Sequence, residues 1–433
     1  MEADARPDGR EEELSDTIYA LSSGAPPAAI AVVRISGPRA DAALETLAGI
    51  LPAPRTATLA RLRDGVEILD DALIIRFPGP ASATGEDVAE LHLHGGRSVV
   101  AAVLAALARI GGLRPAAPGE FTRRAFDNGR IDLAEAEGLA DLLEAETESQ
   151  RRAALALAGG ALSRQVQAWQ AELLALAAAV EAALDFSDED DVASLPADIP
   201  IRLVSLGTDV SIWLARPPAE RLKDGVRIVI AGPPNSGKST LLNALLGRDA
   251  AITSAIAGTT RDLIEVPVSI GGSPFLLIDT AGLRDSADEI EAIGVDRARA
   301  TVANADILLW LGDADEAPAG AIRIHPKADL GPPAIPADLS VSAMTGFGLA
   351  ELSRMLIQRS ASLLPAEGAV ALNVRHREAL RALQLALEEA ESVDMLIAAE
   401  ALRSARMALD RITGKAGVED MLDALFGRFC IGK

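Results

Sequence analysis

The segment 226–231 is a short apolar run that leads directly into Gly232-Pro233-Pro234-Asn235-Ser236-Gly237-Lys238-Ser239, followed by the helical stretch 240–246. A G-x-x-x-x-G-K-S loop between a strand and a helix is a phosphate cradle. Its backbone amides and the helix N-terminus converge on an anion. In such a loop Lys238 reaches the β- and γ-phosphates, and the Ser239 hydroxyl is placed for Mg²⁺. Ser236, Gly237 and Thr240 complete the contact surface. This grammar commits the surrounding residues to an α/β sheet. A second apolar strand, 275–278, ends in Asp279-Thr280-Ala281-Gly282. Read alone, those four residues are an ordinary strand exit. About forty residues after a phosphate loop, they are an acid for the metal and a mobile glycine amide for the γ-phosphate.

Between these two motifs lies Ala257-Gly258-Thr259-Thr260-Arg261-Asp262, whose threonines can close over a metal as a switch. The runs 263–270 and 274–278, joined by Gly271-Gly272, read as a hairpin. That places an antiparallel strand on an otherwise parallel sheet, as in small GTPases and not in most Walker-type ATPases. Two further strands are expected at 307–311 and 321–324. His325-Pro326-Lys327-Ala328-Asp329 follows, where a GTPase usually carries N-K-x-D. Lys327 can stack over a base, and the Asp329 carboxylate can accept from guanine N1–H and N2–H. Pro326 has no side-chain hydrogen bond to offer. Ser342-Ala343, after a strand at 339–341, supplies the amide usually aimed at guanine O6. A surface turn unrelated to a base is the other reading of this segment.

Outside 223–364 the pattern changes. Residues 17–132 alternate strand-like runs (29–35, 72–77, 88–94) with helical ones (39–50, 97–110), which reads as an α/β or α+β domain. From Leu133 apolar residues recur at helical spacing through 133–158, 161–184 and a third stretch ending at Arg216. The same style returns at 375–392, 399–412 and 418–426. One helical domain interrupted by an inserted one is the economical arrangement, since insertion requires only that the two junctions lie close together. Charge narrows the partners: 41 Lys plus Arg against 63 Asp plus Glu leaves a formal net charge of −22. A chain this acidic is poorly suited to wrapping nucleic acid by bulk charge, although a local basic patch or a basic partner is compatible with it. Cys430 is the single cysteine, which excludes an internal disulfide and any multi-cysteine metal site. His92 and His94 share one strand face and could form half of a metal site, but surface or structural histidines are the simpler reading. Acidic residues at 11–13 are the wrong sign for a signal peptide, and no run of about 18 apolar residues is present. The expectation is a cytoplasmic protein with no membrane association.

The inserted phosphate-loop domain, the A-G-T-T-R-D switch and the terminal Phe429-Cys430-Ile431-Gly432-Lys433 together resemble the MnmE (TrmE) family of tRNA-modification GTPases. The resemblance extends to Val33-Arg34-Ile35-Ser36-Gly37, Thr84-Gly85-Glu86-Asp87, His94-Gly95-Gly96 and Pro118-Gly119-Glu120-Phe121-Thr122, so it covers nearly the whole chain. It implies a multidomain α/β and α fold: an N-terminal α/β folate-binding and dimerisation domain at 1–132, then a helical domain at 133–222 and 365–433. A Ras-like GTPase domain at 223–364 interrupts the helical one.

The resemblance also implies roles. K⁺ would be held by Asn235, Ser254, Ile256 and Thr259 within a loop running Ser254, Ala255, Ile256, Ala257, Gly258, Thr259 and Thr260. Mg²⁺ would be held by Ser239 and Thr260. Leu283 cannot orient water, and the family's glutamate matches Glu291, which by itself would read as a solvated acid. Arg34, Glu90, Arg130 and Lys433 match the contacts to 5-formyltetrahydrofolate or a related tetrahydrofolate; Arg130 stands where lysine is common. Cys430 joins Glu291 and Lys238 among the candidate catalytic residues and is expected near the folate, although a lone cysteine is more often a small buried apolar residue. The implied activity is potassium-dependent GTP hydrolysis by a homodimer. With the flavoprotein MnmG, it would add an aminomethyl-type group at C5 of the wobble uridine, position 34, of tRNA. A regulatory GTPase switch in ribosome assembly is the alternative.

Overall fold

The structure is a computed structural model that describes residues 16–185, 198–248, 250–251, 264–279, 301–333, 336–391, 394–415 and 419–433. Two compact units emerge. One contains the described residues up to Ala140 together with Thr413–Lys433, and the other contains Asp141–Ile412.

The first unit is built on strands β1 (Thr17–Leu21), β2 (Ile30–Ser36), β3 (Thr58–Asp64), β4 (Glu67–Phe77), β5 (Val88–His94) and β6 (Leu113–Pro115), in the spatial order β3-β4-β5-β2-β1-β6. The pairing is antiparallel except for β1 with β6. Alternation along β2 and β5 sends Ala31, Val33, Ile35, Ala89, Leu91 and Leu93 to one face. There they form a core with Leu44 and Leu47 of the helix Ala40–Ala48 and Val103 and Leu107 of the helix Arg97–Ala108. The opposite face is covered at the β1 edge by the helix Glu120–Asp127, where Ile18, Ala20, Ala116 and Phe121 cluster. The strand 72–77 expected from sequence therefore extends back to Glu67 and pairs with β3, a partner whose mixed polar pattern gave no alternation signal.

The C-terminal helix Glu419–Phe426 belongs to this unit. Phe426 and Phe429 pack with Leu133 and Ala136. The tail is pinned at two points. Ile431 forms an antiparallel bridge with Pro118, and Gly432, at φ 96°, lies so close to the Leu21 carbonyl that any Cβ would overlap it.

The helical run 133–158 is divided into Leu133–Glu144, which begins in the first unit, and Glu148–Ala158 in the second. Thr147 accepts from the Gln150 amide and the Gln150 side chain returns to the Thr147 amide. Such a capping box is worth about 1 kcal/mol, and it restarts the helix where apolar periodicity alone reads straight through. The helices Ile199–Leu214 and Val374–Ala390 lie side by side. Arg377 donates to the Leu214 and Arg216 carbonyls at 2.9 and 3.0 Å. The chain segments flanking the phosphate loop in sequence thus meet in space.

The sheet of this unit comprises β7 (Val226–Ala231), β8 (Ala250–Ala251), β9 (Ile264–Ile270), β10 (Ser273–Asp279), β11 (Ile307–Trp310), β12 (Ile322–His325) and β13 (Leu339–Ser340). Their order is β13-β12-β11-β7-β10-β9-β8. β7 is central, flanked by parallel β10 and β11, and β9 adds antiparallel to β10. Val226, Ile228 and Ile230 are fully buried among Leu241 and Leu245 of the helix Lys238–Arg248. At its closed end the β9–β10 hairpin abuts the helical segment, with the Ser149 amide donating to the Gly272 carbonyl at 3.0 Å. No helix among the described residues is long and apolar enough to cross a membrane.

Candidate functional site

The end of β7 delivers the chain into the phosphate loop with strained but compatible backbone. Gly232 has φ 148° and approaches the Leu311 carbonyl so closely that a Cβ would sit 2.6 Å from it. Asn235 takes φ 60° and Gly237 φ 99°. Asparagine tolerates the left-handed region better than most side chains. Lys238 is 8% exposed, and its ammonium donates to the Gly232 and Pro233 carbonyls at 3.1 and 2.9 Å. The lysine is therefore held over the loop by the loop itself. Ser239 Oγ donates to Asp279 Oδ2 at 2.7 Å. Asp279 is 1% exposed. A buried carboxylate at a strand end, bonded to the helix-start hydroxyl, is an oxygen donor pair of the type a hard divalent cation takes.

The base-reading segment lies against the same loop. Lys327, itself at φ 54°, donates from Nζ to the Asn235 carbonyl at 2.9 Å. A Cβ placed on Gly237 would meet Lys327 Cε at 3.8 Å and Pro326 Cβ at 3.9 Å. Asp329 is exposed, and one of its oxygens accepts from the Ser342 hydroxyl at 2.5 Å. The Ser342 amide donates to the Phe347 carbonyl at 2.9 Å. The Lys327–Asn235 link and the Ser342–Asp329 bond were not read from sequence. Both join residues far apart in the chain, and neither leaves a local spacing signal.

Several expected residues lie outside the described residues: Ser254, Ala255, Ile256, Ala257, Gly258, Thr259, Thr260, Thr280, Ala281, Gly282 and Glu291.

The first unit brings Arg34 and Glu90 into register as directly opposed residues of β2 and β5. Arg34 donates to Glu90 Oε1 from Nε at 3.1 Å and from a terminal nitrogen at 2.9 Å. Its guanidinium stands 5.8 Å from the Phe121 ring centroid. His92 Nε2 lies 3.3 Å from Glu90 Oε2, whereas His94 Nδ1 pairs with Asp70 at 2.6 Å. The two histidines thus have different carboxylate partners. Among the described residues no group of three or more metal-ligating side chains is assembled. Lys433 donates its amide to the Cys430 carbonyl in the pinned tail. The tail reaches this neighbourhood because Gly432 covers Leu21, which pairs with Val33, the residue before Arg34. Cys430 is exposed, so the buried-cysteine reading is corrected. The tail turn that pins Ile431 and Gly432 leaves the thiol outside the core. Arg130 is exposed, with its Cγ 3.2 Å from the Cβ position of Gly85.

A buried ionic cluster supports this edge of the unit. Arg124, with its side chain 4% exposed, pairs with Asp16, Glu86 and Glu120. Arg114 bonds Glu120 through both terminal nitrogens, at 2.9 and 2.6 Å. Burial pushes the Glu120 carboxyl up, but the Arg114 guanidinium and the Ala117 amide outweigh it and hold the group below its ordinary value.

Comparison with known proteins agrees with both units. A family model described as the MnmE helical domain matches residues 133–430, and one described as the N-terminus of the GTP-binding protein TrmE matches residues 17–130. The tRNA modification GTPase MnmE of Rhizorhabdus wittichii is 61% identical over 429 residues, which is 97% of each chain. That of Erythrobacter litoralis is 57% identical, covering 96% of this chain and 100% of its own, and that of Novosphingobium aromaticivorans is 56% identical, covering 97% and 100%. A chain matched over nearly its full length by relatives of more than half identity, and over both units by the family's own domain models, belongs to the MnmE family.

Proposed function

We propose that this chain hydrolyses GTP through the phosphate loop at the end of β7 and that the hydrolysis serves modification of the wobble uridine of tRNA. The observation that supports the hydrolytic part is the arrangement of Lys238, the Ser239–Asp279 pair and the Lys327–Asn235 link at one loop. Lys238 would turn from the loop carbonyls to the β- and γ-phosphate oxygens. Asp329 would accept from guanine N1–H and N2–H while Ser342 fixes its second oxygen. Of the Ser342-Ala343 pair, Ala343 is the better candidate for O6, because the Ser342 amide is engaged by Phe347.

Ser239, with Thr260, would hold Mg²⁺, and Asp279 would reach it through water. Asn235, Ser254, Ile256 and Thr259 would hold K⁺. The chemistry these ions supply when bound is neutralisation of charge on the phosphate oxygens. Glu291 would position the attacking water, since Leu283 offers no polar atom.

The second unit is read as a helical domain interrupted by the GTPase domain, and the first as the folate-binding and dimerisation domain. Arg34, Glu90, Arg130 and Lys433 would receive a tetrahydrofolate that donates the one-carbon unit, and Cys430 would lie near it. The flavoprotein MnmG is the expected partner, and a basic tRNA-binding surface on it would suit a chain of net charge −22. The cytoplasm is the expected compartment.

The test is phosphate release from GTP and from ATP, in K⁺ and in Na⁺ at matched ionic strength. It is paired with mass spectrometry of tRNA nucleosides from a strain lacking the gene. Faster turnover of GTP in K⁺ and loss of the C5-modified uridine support the proposal; equal rates with both nucleotides, or unchanged tRNA, refute it.

A further inference from the structure

Beside the Phe121 wall the outer face of the first unit's sheet carries one chain of polar contacts, Arg34 to Glu90 to His92. Arg34 occupies Glu90 Oε1 with two N–H groups, so the acceptor capacity left for a ligand is on Oε2. His92 Nε2 approaches that same oxygen. The three side chains are 23%, 16% and 27% exposed for Arg34, Glu90 and His92, enough for a planar heterocycle to reach them. Across the strands His92 is flanked by Val32 on β2 and Leu73 on β4, an apolar floor on either side.

We infer that His92 is a positioning residue for ligand recognition at this face and makes that recognition depend on pH. The inference rests on the folate reading proposed above. With Nε2–H neutral, His92 donates one ordinary hydrogen bond that orients Glu90 Oε2 towards the N–H groups of a pterin-type ring. When protonated, it becomes an ionic partner of the carboxylate. Glu90 is then charge-balanced by two cations, Arg34 and His92, and its outer oxygen is a poorer acceptor. Affinity should therefore be higher where the imidazole is neutral than where it is protonated, and so should rise with pH. Among the described residues, the other charged groups on this face near His92 are Glu90 on its own strand, Arg34 on β2, the Asp71–Arg61 pair on β4 and β3, and the Asp70–His94 pair towards the strand end. That pair provides the control.

The experiment is calorimetric titration of the full-length protein with 5-formyltetrahydrofolate at about pH 5.5 and about pH 8. GTP-analogue binding to the same samples reports folding. Wild type should bind about five- to tenfold tighter at the higher pH, the difference between a charged and a neutral hydrogen-bond partner. His92→Gln keeps an N–H donor without the titration, and should hold the high-pH affinity at both values. His92→Leu should bind several-fold more weakly than wild type at about pH 8. His94→Gln should retain the wild-type slope. The inference is overturned if His92→Gln keeps that slope, if His92→Leu matches wild type at the higher pH, or if His94→Gln flattens the profile. Failure of every protein, wild type included, to bind the folate while still binding GTP analogue would instead refute the folate reading itself.

Discussion

Replacing Pro326 by asparagine tests the base-reading assignment most directly. In the structure the loop carrying Pro326 is tied to the phosphate loop by Lys327, through Nζ to the Asn235 carbonyl. Pro326 contributes only carbon, its Cβ standing 3.9 Å from the Cβ position of Gly237. One residue earlier, the Ser236 hydroxyl is buried with no hydrogen-bond partner among the described residues. An amide side chain at 326 would extend from a position whose Cβ already lies against the phosphate loop at Gly237. One neutral hydrogen bond is worth about 0.5–1.5 kcal/mol, so Pro326→Asn should tighten GDP and GTP by up to about tenfold. The bond from Lys327 is charge-assisted and worth about 1.5–3 kcal/mol, so Lys327→Met should weaken both nucleotides by roughly ten- to a hundredfold. Removing a proline also loosens the unfolded chain, by about 0.4–1 kcal/mol; affinity and not melting temperature is therefore the quantity to read. The assay is titration with fluorescent GDP in competition with GTP and ATP. Unchanged or weaker binding by Pro326→Asn would mean that no phosphate-loop group is reachable from position 326. An unchanged GTP-over-ATP ratio in Asp329→Asn would refute the assignment of the segment, because its carboxylate is the proposed acceptor for guanine N1–H and N2–H.

Glu291→Ala should lower the hydrolysis rate by about 10²–10⁴-fold with nearly intact nucleotide affinity, as expected for loss of the group that positions water; single-turnover kinetics distinguishes this from a solvated acid of no consequence. Arg34→Ala and deletion of Lys433 should each weaken folate binding without altering GTP affinity, measured by calorimetry on the same preparations. Arg114→Gln should make the first unit more sensitive to acid. Glu120 has a depressed pKa in the folded state, so the stability it contributes is present above its unfolded value, near 4.3, and is lost as pH falls through the folded one. Without Arg114 the loss should begin at higher pH, seen as an earlier acid transition by circular dichroism.

The phosphate loop, the β9–β10 hairpin and the strand before Lys327 were legible because each is a contiguous segment whose chemistry and conformation are set within about ten residues of itself. A glycine at 232 or 237 reports a backbone requirement wherever the rest of the chain lies. The division of 133–158 was partly legible too: Thr147 and Gln150 stand at the capping spacing, but an unbroken apolar period hid them. What tertiary structure decided was every pair that depends on register or topology. Arg34 and Glu90 are 56 residues apart and meet only because β2 pairs antiparallel with β5 in one particular register. A slip of one residue would send Glu90 to the opposite face. His92 meets Glu90 as the next outward residue on that strand, while His94 pairs with Asp70 instead. The tail is the extreme case. Residues 430–433 hold no local information about a destination, yet Gly432 fits over Leu21 because it lacks a Cβ, and Ile431 completes a bridge to Pro118 from more than three hundred positions away. Sequence specified the chemistry each segment could perform; strand pairing within each sheet specified which segments come together, because hydrogen-bond register is a property of pairs of strands and not of either one.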